Sequence, residues 1–167
     1  DAPALHWLVR GVLPAAGLAA LFGASGSGKS FLALDLCAAV AAGGAEWFAC
    51  RVKSAPVVYV ALEGEAGFSQ RVKAWQLHHG RDLPESLRFV MQALDLRNAC
   101  DVSEIAEAVT VAGAAPGLLV IDTLNRAASG ADENSVVDMG EIIAAAKELQ
   151  AKLGGLVLLV HHSGKDA

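Results

Sequence analysis

A glycine-rich octapeptide, Gly23-Ala24-Ser25-Gly26-Ser27-Gly28-Lys29-Ser30, lies between a short apolar run at 18–22 and a long apolar stretch at 29–42. It satisfies G-x-x-x-x-G-K-[ST] at every fixed position, and the pattern has a mechanism that dictates its surroundings. Glycines let the backbone curl round a polyphosphate with its N–H groups turned inward, and a helix starting directly after the curl adds partial positive charge. A strand is therefore expected to end near 22 and a helix to begin at Lys29. In that arrangement Lys29 reaches the β- and γ-phosphates and the Ser30 hydroxyl binds Mg²⁺. The segment from Gly23 to Ser30, with Phe31 beside it, is the expected cofactor-binding loop.

The remaining apolar runs repeat the same theme. Runs at 56–62, 87–94, 117–121 and 156–160 alternate with helix-like stretches, which is the pattern of a parallel sheet with crossover helices. The spacing predicts helices at 29–42, up to about residue 79 (carrying Val72, Trp75 and Leu77), and at 101–111. A longer helix is expected after 135, with Val136, Met139, Ile142, Ile143, Ala146, Leu149 and Leu153 on one stripe and a Glu148–Lys152 pair on the wet face. Gly43-Gly44 and Gly154-Gly155 stop two of these helices. The polar segment 125–135 is the expected mobile loop.

Composition narrows the class. With 167 residues the chain allows one domain, and 54% hydrophobic against 19% charged residues excludes disorder and a coiled coil. The net charge of −5 gives no bulk attraction to nucleic acid. Cys37, Cys50 and Cys100 are odd in number and far apart, which fits small core residues in a reducing, cytoplasmic setting rather than disulfides or a zinc site. Asp35, Gly43, Gly44 and Glu46 interrupt the most apolar stretch, so no membrane span is expected. The chain begins at Asp1 without an initiator methionine or a signal pattern, and it reads as a segment of a longer polypeptide.

Carboxylates and histidines at the strand ends indicate the chemistry. Asp122 follows four apolar residues, an arrangement that sets an acid beside the Mg²⁺ of the phosphate loop. The metal set is thus Ser30 and Asp122, with Asp122 acting from one layer out. Glu63 ends the 56–62 run and faces the crevice where open α/β sheets bind ligands, placed to orient a water and take its proton. Glu65 lies further past the strand and is a weaker candidate. Alternation lets only one of His161 and His162 point into the crevice, where it could sense a γ-phosphate; the other reading of the pair is an ordinary half-buried or surface group.

The order GASGSGKS, VVYVALEGE, LLVIDTLNR and LVLLVHHSGK resembles the RecA-like ATPases, and within them the hexameric RepA-type replicative helicases of plasmids and phages. The lead-in at 6–14 and the segment at 68–72 are similar as well. The resemblance implies an α/β fold, a RecA-like P-loop NTPase core with a mainly parallel central sheet flanked by helices, the His161/His162 strand lying between the phosphate-loop strand and the Asp122 strand. It implies ATP and Mg²⁺ as cofactors, Lys29, Glu63 and His162 as catalytic residues, Glu63 being the base and His162 the γ-phosphate sensor, and Arg71 near the site. It also implies a ring of like subunits, a hexamer, acting on nucleic acid in the cytoplasm. In such rings an arginine from strands after the sensor completes the neighbouring site. The chain ends at Ala167, so those C-terminal strands are expected to be missing, with Lys165 as a stand-in and slow hydrolysis by this segment alone.

Other features pull in different directions. Arg71, Lys73, His78, His79 and Arg81 make a basic stretch, read either as a nucleic-acid strip or as a charged wet face; Arg126 in the loop is accompanied by Asp132 and Glu133. Trp7, Trp47 and Trp75 could stack on bases but fit core or interface packing. The rival readings are an ATP-dependent assembly switch that unwinds nothing and a small-molecule kinase, for which no arginine-rich lid is visible. Part of the apolar excess belongs to buried strands. The rest, notably the helix at 31–40 with Asp35 as its only charge, is expected to form surface for missing strands or a neighbouring subunit.

Overall fold

The computed structural model describes residues 4–44, 46–111, 115–132 and 134–162. In chain order the elements are β1 (Trp7–Val9), β2 (Leu13–Pro14), β3 (Gly17–Gly23), α1 (Lys29–Ala42), β4 (Glu46–Trp47), β5 (Cys50–Arg51) and β6 (Val57–Ala61). They continue with α2 (Glu65–His79), β7 (Leu87–Val90), α3 (Ala99–Val111), β8 (Leu118–Asp122), α4 (Leu124–Ala127), α5 (Val136–Leu153) and β9 (Leu156–His162). The five predicted runs form one sheet in the order β3-β9-β8-β6-β7, every neighbouring pair parallel. This is the α/β layout of a RecA-like P-loop core, and β9 lies between β3 and β8 as the resemblance implied.

Period-two alternation divides the apolar strands between two cores. Val57, Tyr59, Leu118, Val120, Leu156 and Leu158 face α1 and α2, together with Phe68, Trp75 and the β1 residues Leu8 and Val9. Val58, Val60, Leu119, Ile121, Val157 and Leu159 face α3, α4 and α5 through Ile105, Val109, Leu124, Ile142, Ala146 and Leu149. Helices on both faces explain why these strands read as unbroken apolar runs. Among the described residues no helix is long and apolar enough to cross a membrane.

The structure differs from the sequence reading in four places. The run at 87–94 pairs only as far as Val90. The segment at 125–135 is not loop throughout: α4 occupies its start, Ala127 and Ala128 are buried, and Leu96 N–H donates to Ala127 O at 2.7 Å. On α5, Val136 and Ile143 fall outside the buried stripe and face solvent, while the Glu148–Lys152 pair forms at 2.9 Å. The apolar α1 is covered by the chain itself. Ala33, Leu34, Leu36, Cys37 and Val40 are buried against the sheet and α2, and the β1–β2 and β4–β5 hairpins, linked by a Val9–Val52 bridge, close over the same core. Only Phe31 and Leu32 remain as exposed large apolar groups on α1.

Candidate active site

Because the sheet is parallel, every strand delivers its C-terminal end to one edge. Gly23 pairs with His162, Val160 with Asp122, and Asp122 with Ala61, two residues before Glu63. The phosphate-loop strand, the histidine strand, the aspartate strand and the glutamate strand therefore end side by side, at the edge where open α/β sheets take ligands. Gly26 and Gly28 adopt φ of +76° and +86°, which L side chains rarely adopt. Gly28 caps α1 without a side-chain hydrogen bond, so the first N–H groups of α1 stay open for an anion.

Lys29 is 6% exposed, and its ammonium donates to Gly23 O and Ala24 O, both at 2.7 Å, and more weakly to Ser27 Oγ at 3.4 Å. The lysine is thus held down against its own loop. Ser25, Gly26, Gly28, Lys29, Ser30 and Phe31 form one wall of a cavity of about 270 Å³, and Glu63, Arg71 and His162 form the other. That volume lies just below the range of roughly 300–1,000 Å³ usual for small-molecule sites. A second cavity, of about 370 Å³, continues past Phe31 between α1 and α2.

On the far wall Arg71 donates to Glu63 Oε2 at 2.7 Å, and His162 Nε2 lies 3.4 Å from Glu63 Oε1. Partial burial raises the Glu63 carboxyl, but the hydrogen bonds from Arg71 and then His162, with their charges, outweigh it and leave the group below its ordinary range. The main-chain N–H of His162 donates to Asn125 Oδ1 at 3.0 Å, fixing the end of β9 against α4. Alternation resolves the histidine pair in space: His162 lines the phosphate-loop cavity, whereas His161 lines a cavity on the opposite face with Leu124, Met139 and Ile142.

Asp122 stands behind this wall, 2% exposed and outside the cavity lining. The Tyr59 hydroxyl donates to Asp122 Oδ2, and Oδ1 has no hydrogen-bond partner among the described residues. Burial first, and the Asp122 charge second, push the Tyr59 phenol and the Cys37 thiol well above their ordinary values. No group of three or more His, Cys, Asp or Glu among the described residues is arranged to hold a metal. The Ser30 hydroxyl in the cavity wall and the unpartnered Asp122 Oδ1 behind it are oxygen ligands of the kind Mg²⁺ takes, an ion that keeps most of its shell as water and phosphate oxygens.

The family model described as an AAA domain matches residues 1–167. The chain belongs to the AAA domain family. Membership supports nucleotide binding and ATPase activity on a P-loop scaffold. No curated protein matches the chain.

Several members of the basic stretch make contacts within the chain. Arg71 faces the cavity, His79 pairs with Asp35 at 3.1 Å, and the Arg81 guanidinium lies 5.5 Å above the Trp75 ring. Trp47 and Trp75 both donate their indole N–H to Asp35, at 3.0 and 2.8 Å. Asp35, the one carboxylate of α1, is therefore an internal acceptor. Sequence reasoning missed Tyr59 and Asn125, although a lone tyrosine in an aliphatic strand was a usable signal, since a buried phenol needs a partner. Lys165 and Glu133 lie outside the described residues.

Proposed function

We propose that this domain binds Mg·ATP on the loop from Gly23 to Ser30 and hydrolyses it, as the motor core of a ring-forming DNA helicase of plasmid or phage replication. The observation that carries this reading is the cavity itself, with Lys29 and the α1 N-terminus on one side and Glu63, Arg71 and His162 on the other. Ser30 and Asp122 would hold Mg²⁺, which when bound neutralises charge on the β- and γ-phosphate oxygens. Glu63 accepts the proton of a water whose oxygen attacks the γ-phosphorus, while the bond from that phosphorus to the β-bridging oxygen breaks and ADP leaves. Lys29 and the open N–H groups of α1 stabilise the charge that builds on the phosphates. His162 contacts the γ-phosphate and passes its loss through its own main-chain N–H to Asn125 and α4.

One observation favours the assembly-switch reading instead: within the basic stretch His79 pairs with Asp35 and Arg81 lies over Trp75, so both make contacts inside the chain. The two readings separate in an assay of ATP hydrolysis and assembly state with and without single-stranded DNA. The helicase reading expects ATP-dependent rings and a several-fold rise in phosphate release on adding DNA. ATP-dependent assembly with no response to DNA would sink it and leave the switch.

A further inference from the structure

The basic side chains of the phosphate-loop cavity face acceptors of the chain itself. Lys29 donates to the Gly23 and Ala24 carbonyls, Arg71 donates to Glu63 Oε2, and His162 Nε2 faces Glu63 Oε1. Both carboxylate oxygens of Glu63 thus have a nitrogen partner, and the shorter contact comes from a guanidinium. A carboxylate held this way is a poor proton acceptor, and its lowered pKa agrees with that geometry. For Glu63 to take a proton from water, a partner has to leave it.

Arg71 is placed to leave. It lines the same cavity as Lys29 and Ser30, with 22% of its side chain exposed, so its guanidinium can meet an anion there without a change of fold. Phosphate is the stronger competitor for it: a terminal phosphate carries more charge than a carboxylate and matches the planar fork with two oxygens. We propose that Arg71 is shared between two acceptors, Glu63 and the terminal phosphate of the nucleotide, so that a third phosphate draws the guanidinium away and frees Glu63 to act. Arg71 is then a positioning residue for the base and a reader of triphosphate against diphosphate. The inference rests on the nucleotide-binding reading above.

The test is the affinity of the wild type, Arg71→Gln, Glu63→Gln and the double variant for Mg·ADP and for a non-hydrolysable ATP analogue, by calorimetry. Arg71→Gln should weaken the triphosphate about tenfold, the size of one lost charge-assisted hydrogen bond, and change ADP about twofold or less. Glu63→Gln removes the competing negative charge and leaves only a neutral, weaker acceptor, so it should tighten the triphosphate several-fold, an effect that vanishes when Arg71 is also replaced. Equal losses for both nucleotides, or tightening that persists without Arg71, would overturn the proposal. If Arg71→Gln does not fold, Arg71→Lys alone and with Glu63→Gln supplies the comparison, because lysine keeps the charge and loses the fork: the tightening should then shrink, and full tightening counts against the exchange. If the wild type binds neither nucleotide, the functional reading itself fails; binding that Lys29→Ala abolishes but Arg71→Gln leaves unselective defeats only the exchange.

Discussion

At the scale of single residues, the site is a set of charges each held by a specific partner, and Glu63 shows what that does to acid sensitivity. Its carboxyl is held below the ordinary range in the folded chain despite partial burial. A carboxyl depressed by folding adds stability that is fully present above its unfolded value near pH 4.5 and is lost as pH falls through the lower folded value. Asp138, which accepts from the Asp132 main chain and bonds Ser135, is depressed as well and acts in the same direction. The melting temperature should therefore fall as pH drops from about 6 to about 3, and Glu63→Gln should make that fall shallower. An equally steep fall in the variant would mean that Glu63 is not held by Arg71 and His162. Lys29, Ser30 and Glu63 were legible in the sequence because short-range spacing fixes them. Arg71 was placed near the site by the resemblance alone, and Tyr59 and Asn125 were not legible, since their partners are 63 and 37 positions away and are found only once strands lie side by side.

At the scale of elements, the strand starts are as constrained as the strand ends that carry the site. Gly155, at φ +68°, directly precedes β9, and a Cβ built there would overlap Pro116 O and sit 2.7 Å from Gly117 O, both main-chain atoms. Gly155→Ala should cost about 2–4 kcal/mol, from the left-handed backbone and the displacement of β8. Gly130, at φ +83° with nothing within 4 Å of a Cβ, is the matched comparison, and Gly130→Ala should cost only about 1 kcal/mol. Denaturant unfolding of the two variants measures the difference, and equal costs would show that the Gly155 contact relaxes freely. The sequence disclosed the parallel strands and long helices because apolar runs and caps are local signals. It did not disclose the β1–β2 and β4–β5 hairpins, whose strands of two or three residues have no room for a period. Ala127 and Ala128 misled the reading at 125–135 for a related reason: small residues look like loop until a pocket in the second core receives them.

At the scale of the whole molecule, two apolar cores, one on each face of the sheet, hold five strand ends in register so that residues distant in sequence meet at one edge. The apolar excess of the chain is largely absorbed by this two-faced burial, including most of α1. The chemistry then depends on Lys29 for holding phosphate and on Glu63 for activating water. Nucleotide binding and single-turnover phosphate release, measured on the wild type, Lys29→Ala and Glu63→Gln with Mg·ATP, test that division most directly. The account predicts that Lys29→Ala loses binding, while Glu63→Gln binds at least as tightly as the wild type and loses phosphate release by about 100-fold or more. Phosphate release by Glu63→Gln at the wild-type rate would contradict it.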